Sequence, residues 1–281
     1  MLNSTGVYGL GLFVAAPFCL GLLAAVFRRP ASRSEAAGLG ALVNVVLLLV
    51  LPLFVIEGYI CVLMAIPISV PCGAVGGMLG YSIARRRTAL LLLLAPPGIA
   101  TTEPALHPEA PLFEVKTSLE INAPPERVWP HVISFPDLPP PSEWYFRAGI
   151  AYPVRAHIEN SVRYCEFSTG PFVEPIEVMD APRLLRFRVI ANPEPMRELT
   201  PYGHSHPAHL DGYFLSRRGQ LRLVPLPGGR TLLEGTTGYQ HSLWPAQYWR
   251  LWSDAIISRI HLRVLGHIRE LSENSPAPAT Y

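Results

Sequence analysis

Three histidines and one aspartate lie within a span of eight residues, and they are His204, His206, His209 and Asp211. Imidazole and carboxylate groups are common ligands of zinc and other first-row metals. However, Pro207 breaks the regular spacing, and the segment lies in a polar stretch, residues 192–211, that predicts a loop. We therefore expect neither a metal nor a cofactor, and these four residues are weak candidates for metal ligands. A loop that covers a binding site, or a plain solvated connection, accounts for them better.

Groups that could do acid–base chemistry share faces of two predicted strands. Tyr164 and Glu166 alternate on one strand, and Tyr239 and His241 alternate on another. In an apolar pocket such groups could transfer protons to or from a polyketide-like or sterol-like substrate. Glu166, Tyr239 and His241 are therefore the catalytic candidates, and all four residues are candidate ligand contacts. The alternation leaves open which face of each strand points inward.

A long final helix is predicted to complete such a pocket. It begins near Pro245, a residue suited to the first helical turn, and apolar residues follow at four-residue spacing. Tyr248, Trp252 and Ile256 are candidate ligand contacts on this helix. The apolar side of the helix must pack against something apolar, and we expect a curved sheet there.

The first 100 residues are predicted to lie in a membrane. Three runs without charge, at about residues 7–27, 39–56 and 59–84, are long enough for helices that cross roughly 30 Å of hydrocarbon. A fourth run, residues 88–100, is shorter, and Pro96 and Pro97 interrupt it. It is either a fourth span or a short interfacial segment. The membrane region therefore has three or four helices.

Arginines predict the orientation of these spans. Arg28, Arg29 and Arg33 follow the first span and Arg85–Arg87 follow the third, whereas Glu57 is the only charge between the second and third. Basic residues near span ends favour the cytoplasmic side, so both arginine clusters are expected there. A fourth span would then deliver the rest of the chain to the periplasmic side of a bacterial inner membrane. Without that span, the rest of the chain is cytoplasmic.

The membrane region is predicted to be an anchor. No ionisable residue lies in the middle of a span, whereas ion and proton transporters normally need one. Small residues follow one side of the third span and predict close helix packing, and they are Gly73, Gly76, Gly77 and Gly80.

The rest of the chain is predicted to form one domain. A linker at residues 101–111 is followed by the domain at residues 112–273 and a disordered tail at residues 274–281. Acidic residues slightly outnumber basic ones after residue 100, which argues against nucleic acid as a partner. The four cysteines are too scattered to predict a disulfide framework or a cysteine-ligated metal.

The order of predicted elements in this domain is a strand, a helix pair, about six antiparallel strands and the long helix. The segment Leu119–Trp129, in which an Ala-Pro step precedes a helix with Val128 and Trp129, resembles the opening signature of the START-like, or SRPBCC, superfamily. Asp180–Phe187 is similar to the turn that precedes a central strand in that superfamily. The resemblance covers residues 113–271.

This resemblance implies an α+β helix-grip domain, in which a curved antiparallel β-sheet wraps around a long C-terminal α-helix and leaves an apolar cavity between them. Polyketide cyclases, lipid-transfer domains and allergen-type carriers share that fold. It implies no particular chemistry, because superfamily members have no catalytic residue in common.

Three functions fit these observations, and the first is favoured. It is a membrane-anchored binding module for a lipid or another hydrophobic small molecule, whose partners are the lipid bilayer and that molecule. The second is an enzyme of the cyclase or dehydratase type. The third is a structural or partner-binding membrane protein. The sequence leaves the ligand and the oligomeric state open.

Overall fold

The computed structural model describes residues 8–84 and 110–274 of the chain. The predicted fourth span, most of the predicted linker and the tail from residue 275 lie outside the described residues. The contacts divide the chain into two compact units. The first unit comprises residues 1–111, 198–213 and 242–249, and the second comprises residues 112–197, 214–241 and 250–281. The predicted domain boundaries stay a prediction.

Three apolar helices of the first unit are long and apolar enough to cross a membrane, as the charge-free runs predict. They are α1 (Ala16–Arg28, after a π-helical turn at Gly11–Ala15), α2 (Arg33–Val50, followed by a 3-10 turn at Leu51–Phe54) and α3 (Tyr59–Ile83).

A capping box fixes the start of α2. The hydroxyl of Ser32 accepts a hydrogen bond from the backbone N–H of Glu35 at 3.2 Å. The carboxylate of Glu35 in turn accepts one from the N–H of Ala31 at 2.7 Å. Two backbone donors that the helix cannot satisfy are thereby satisfied by side chains.

Glycines let the three helices touch backbone to backbone. A Cβ added at Gly21 of α1 or at Gly40 of α2 would overlap the carbonyl of Gly73 in α3. Asn44 adds polar bonds at this crossing, because its amide donates to the carbonyls of Pro17 at 3.1 Å and Gly40 at 2.9 Å. The close packing predicted from the glycines of the third span is therefore confirmed.

The helices alternate in direction, so their connections lie at two ends. At one end, the hydroxyl of Tyr8, which precedes α1, donates to the carboxylate of Glu57, which lies between α2 and α3. At the other end, Tyr81 near the end of α3 donates to the carbonyl of Ala31, between α1 and α2, at 3.4 Å.

The predicted loop at residues 192–211 contains structure of its own. A two-stranded hairpin and a 3-10 turn at Ala208–Leu210 form within it. Residues 198–213 belong to the same unit as the helices.

The second unit is built on a curled, seven-stranded antiparallel sheet. Its order is β1-β9-β8-β5-β4-β3-β2, and β6 and β7 form the hairpin of the first unit. The strands are β1 (Leu112–Ile121), β2 (Pro153–Glu159), β3 (Val162–Phe167), β4 (Gly170–Asp180), β5 (Leu184–Arg188), β6 (Glu198–Thr200), β7 (Gly203–Ser205), β8 (Phe214–Leu226) and β9 (Arg230–His241). The helices are α4 (Pro125–Ile133), α5 (Trp144–Arg147) and α6 (Ala246–Asn274).

The apolar core of this unit lies between one face of the sheet, α4 and α6. We call that face the inner face, and it carries Ile121, Leu185 and Leu233. Leu265 and Ile268 of α6 are buried in the same cluster. The α+β class, the curled antiparallel sheet and the long C-terminal helix are therefore as predicted.

Adding one methyl group at Gly73 should destabilise the helix packing. Gly73→Ala places a Cβ against the amide of Asn44 and the carbonyl of Gly40. Gly38→Ala in α2 is the matched control, because a Cβ there meets no atom within 4 Å. We expect Gly38→Ala to change stability by no more than about 1 kcal/mol, in the stabilising direction. Gly73→Ala should lower the thermal transition of the detergent-solubilised protein, and equal transitions for both variants would contradict the packing.

Candidate functional site

One aromatic ring and one glycine organise the centre of the inner face. Phe187 of β5 pairs with Gly219 of β8, and a Cβ added at Gly219 would lie 2.5 Å from the Phe187 ring. The ring therefore uses the space that the missing side chain leaves. The guanidinium carbon of Arg163 lies 5.1 Å from the centroid of the same ring, within the range of a cation–π contact.

An ion pair is buried on this face. Arg163 of β3 and Glu174 of β4 are directly opposite in the register and form a salt bridge, with 4% and 6% of their surfaces exposed. Burial raises the pKa of the Glu174 carboxyl, and the adjacent guanidinium offsets part of that rise. Because neither charge can reach water easily, each depends on the other.

A histidine bridges the helix and the sheet. His261 of α6 places its Nε2 2.8 Å from the hydroxyl of Thr237 in β9 and its Nδ1 3.2 Å from the hydroxyl of Thr117 in β1. Burial lowers the pKa of His261 to about 4, so the imidazole is neutral at neutral pH. A neutral imidazole has one donor and one acceptor nitrogen, so one hydroxyl donates to the ring and the other accepts from it.

A second polar link joins β9 to α6. The hydroxyl of Tyr239 donates to the carboxylate of Asp254 at 2.5 Å, and Arg250 donates to the same carboxylate at 3.1 Å. Burial and the hydrogen bond to Asp254 both raise the pKa of the Tyr239 phenol. His241 is buried two residues further along the strand and stacks on Phe113 at a centroid distance of 5.1 Å.

Of the three predicted catalytic candidates, Glu166 lies apart from Tyr239 and His241. Tyr239 and His241 lie side by side, with ring centroids 6.2 Å apart. Glu166 pairs instead with Arg155 at 2.9 Å, on the face of β3 opposite the buried Cys165. In the sheet, β4, β5 and β8 separate β3 from β9.

Tyr164 lies on the same face as Glu166, away from the core. Its ring stacks on that of His157 with centroids 5.4 Å apart. The two predicted ligand contacts on β3 therefore lie opposite the face that carries the buried ion pair and the apolar core.

The buried side of α6 follows the predicted four-residue spacing only in part. Ile268, which lies at that spacing, is buried together with Ile257 and Leu265, whereas Trp252 and Ile256 are half-buried. His261, which the spacing does not single out, lies against the sheet.

Tyr248 belongs to the first unit together with the beginning of α6. Its hydroxyl donates to the carbonyl of Met64 in α3. This contact assigns Tyr248 to the helix unit, not to the inner face of the sheet.

The four weak metal candidates separate into different environments. His206 and Asp211 form a pair at 2.9 Å on the surface, and His204 is exposed in β7. His209 is buried in the first unit, where its Nδ1 lies 3.2 Å from Glu57 Oε2 and its Nε2 lies 3.5 Å from Glu198 Oε1.

Cys61 lies beside these residues, and we call Glu57, Cys61, Glu198 and His209 the Glu57 cluster. The backbone N–H of Cys61 donates a hydrogen bond to Glu198 Oε1 at 3.2 Å. Burial lowers the pKa of His209, but the carboxylates of Glu198 and Glu57 outweigh this effect and raise the pKa to about 9. Within the described residues, the donor atoms of Glu57, Cys61 and His209 lie within 4.8 Å of one another, a spacing that could hold a metal ion.

Two features of the inner face were missed in the sequence. Arg163 alternates with Cys165 and Phe167, and Glu174 alternates with Phe172 and Ile176. In two strands joined by a short turn, charged residues on the face that otherwise carries apolar side chains predict a buried pair. For His261, the signal was weaker, because a four-residue apolar period fits more than one face of α6.

Comparisons with known proteins do not assign a family. No protein-family model matches the chain, and no curated protein matches it. Among solved structures, protein XoxI from Bacillus cereus is 15% identical, with a TM-score of 0.39 over 57% of this chain and 96% of that one. A norcoclaurine synthase point mutant from Thalictrum flavum, solved with a transition-state analogue, is 14% identical, with a TM-score of 0.37 over 58% and 96%. At these values, neither similarity assigns an activity to the chain.

Removing the buried carboxylate should cost far more stability than removing an exposed one. Glu174→Gln leaves the Arg163 guanidinium buried without a counter-charge, which costs about 3–5 kcal/mol. Glu166→Gln is the matched control, since its partner Arg155 is half exposed and such pairs contribute about 0–1 kcal/mol. Chemical unfolding of the detergent-solubilised protein measures both. Equal losses of unfolding free energy in the two variants would show that Glu174 is not needed to compensate the buried charge of Arg163.

His261 should make stability depend on pH between about 4 and 6.5. Between these two pH values His261 binds a proton in the unfolded chain but stays neutral in the folded protein. The free energy of unfolding therefore falls as the pH is lowered. The contribution is full above pH 6.5 and changes by at most about 1.4 kcal/mol per pH unit. His261→Gln should flatten this slope in unfolding measured across the window, whereas His204→Gln should not. The same slope in all three proteins would refute the assignment.

Proposed function

We propose that this protein is a membrane-anchored module that binds a lipid or another hydrophobic small molecule between the inner face of the sheet and α6. The observation that carries the proposal is the polar bridge of His261 with Thr117 and Thr237, three half-buried residues between α6 and the inner face of the sheet. Ligand sites are mostly apolar and contain a few placed polar groups that orient the ligand. A neutral imidazole between two hydroxyls can exchange one of those bonds for a bond to a ligand hydroxyl or carbonyl.

The proposal extends to the class of the domain. The order of strands and helices and the segment Leu119–Trp129 support membership of the START-like superfamily. The predicted domain limits, residues 112–273, go with that proposal.

The membrane anchor suits such a module. Three apolar helices would hold the domain beside the bilayer, which raises the effective concentration of the pocket for molecules that partition into lipid. We therefore propose the bilayer as the source of the ligand.

An enzyme of the cyclase or dehydratase type gains less support. The Tyr239 hydroxyl donates a hydrogen bond to Asp254, and the pKa of the phenol is raised. Both effects make Tyr239 a poor proton donor to a substrate. Glu166 faces Arg155 on the other side of the sheet from the core. A domain that retains no ligand would favour the structural or partner-binding function.

The binding test uses the full-length chain, because residues 198–213 belong to the helix unit. The protein is extracted in mild detergent, and native mass spectrometry and lipid extraction identify retained molecules. A dansyl-labelled fatty acid then serves as a fluorescent probe. We expect a retained hydrophobic molecule that the probe displaces.

A blocking variant sharpens this test. A Cβ at Gly235 would lie 3.6 Å from Leu221 and 3.7 Å from His261, so Gly235→Phe should fill the space between sheet and helix. Leu262→Phe enlarges an exposed position of α6 and is the control. We expect probe affinity to fall about tenfold or more in Gly235→Phe only, equivalent to at least about 1.4 kcal/mol. Unchanged binding in a folded Gly235→Phe would place the ligand elsewhere.

We also propose a periplasmic location for the domain. The helix α3 starts at the end that holds Glu57, and residues 198–213 lie at that same end, whereas α3 finishes at the opposite end. We therefore propose that the chain crosses back after α3 in a bilayer and that the predicted fourth span, residues 88–100, supplies that crossing. The arginines after the first and third spans put the opposite end in the cytoplasm.

Alkaline phosphatase fusions test this topology. The enzyme is active only after export, so a fusion to the C-terminus of the full-length chain should be active. A fusion after Ala84, at the other end of α3, should be inactive. An inactive C-terminal fusion, with expression verified, would mean that the domain is cytoplasmic.

A further inference from the structure

The Glu57 cluster combines the three ligand types that zinc accepts in proteins. Glu57 contributes a carboxylate oxygen, Cys61 a sulfur and His209 a ring nitrogen, all within 4.8 Å of one another. Between 7% and 9% of each residue is exposed, and Glu198 beside them is fully buried. The ligands come from three places in the chain: the α2–α3 connection, the first turn of α3 and the segment after β7.

The cluster contains polar atoms whose bonding is incomplete. Glu57 Oε1 accepts from Tyr8, and Glu198 Oε1 accepts from the backbone N–H of Cys61. Among the described residues, the other oxygen of each carboxylate and both ring nitrogens of His209 make no hydrogen bond of good geometry, although Nδ1 lies 3.2 Å from Glu57 Oε2 and Nε2 lies 3.5 Å from Glu198 Oε1. Leaving such groups buried costs about 1–3 kcal/mol each, more when they are charged. Coordination to a cation would satisfy those that face it.

The two nitrogens of the His209 ring have different neighbours. Nδ1 is on the side of Glu57, and Nε2 is on the side of Glu198. Metal-bound histidines usually direct their second nitrogen to a carboxylate that orients the ring. Nδ1 is therefore the coordinating atom and Glu198 the orienting group.

Charge also favours a cation. Two carboxyl groups, those of Glu57 and Glu198, flank a single imidazole, so acidic groups outnumber basic ones within the cluster. A divalent ion bound to carboxylate, thiolate and neutral imidazole forms an uncharged centre. Binding releases the thiol proton, and any proton on the imidazole, to solvent.

We propose that Glu57, Cys61 and His209 Nδ1 bind a divalent zinc-type ion, with Glu198 as the positioning residue that holds the His209 ring. Three protein ligands leave a fourth tetrahedral position for water. The ion would fasten residues 198–213 to the start of α3. This site belongs to the first unit and does not depend on the proposed ligand-binding function.

The test uses the full-length protein in detergent without a polyhistidine tag. After chelation, it is titrated with Zn²⁺ alone, and elemental analysis measures the retained ion. Co²⁺ then serves as a spectroscopic probe, because a thiolate ligand gives a near-ultraviolet charge-transfer band and a tetrahedral site gives visible bands. We expect about one equivalent of zinc, both cobalt signatures and a higher thermal transition with the ion than without it.

Matched variants identify the ligands. Cys61→Ser should abolish the charge-transfer band, and Glu57→Gln and His209→Gln should lose the ion. Cys72→Ser, elsewhere in α3, and His204→Gln, on the exposed hairpin, should retain it. Glu198→Gln should weaken binding about 10- to 100-fold and keep the charge-transfer band.

Two results would overturn the proposal. One is a folded wild-type protein that takes up no ion and shows no cobalt spectrum. The other is unchanged binding in Cys61→Ser and His209→Gln. If a variant at Glu57 or His209 does not fold, Cys61→Ser decides the outcome, because it exchanges one atom and keeps the shape of the side chain. Loss of zinc with intact binding of the fatty-acid probe would leave the proposed function unaffected.

Discussion

Charge removed from water is costly unless another group compensates it, and each unit of this protein buries charge in its interior. In the second unit the compensation is a single pair, Arg163 with Glu174, aligned by the register of two neighbouring strands. In the first unit Glu57 and Glu198 share one imidazole, and the compensation is incomplete. This difference separates the two sites. Arg163 and Glu174 form a closed structural pair, whereas the Glu57 cluster is where we propose that a further cation binds.

The inner face of the sheet follows the same constraint with uncharged groups. His261 stays neutral and satisfies both ring nitrogens with threonine hydroxyls, so it needs no counter-ion. Neutral hydrogen bonds of this kind are worth about 0.5–1.5 kcal/mol each and can be exchanged for equivalent bonds at little cost. An interface of this type holds the helix against the sheet, and the hydrophobic molecule that we propose as the ligand would take one of these bonds with a polar group.

Most of the fold could be predicted because its signals are local. The length of the charge-free runs predicted three helices, and strand alternation placed Tyr239 and His241 on one strand, which is β9 in the structure. The sites were harder to predict. Glu166 and Arg163 occupy opposite faces of one strand, and alternation alone cannot tell which face points inward. His209 was seen as part of a local histidine group, but its partners Glu57 and Cys61 are distant in the chain, and only folding brings them together.

The contact between Cys61 and Glu198 also orders events during synthesis. Glu198 lies 137 residues after Cys61 in the chain. At common elongation rates, the ribosome needs roughly 7–30 s to make that stretch. The start of α3 is therefore made well before its carboxylate and imidazole partners exist. The contacts that Glu198 and His209 make with Glu57 and Cys61 can therefore form only after this stretch has been synthesised.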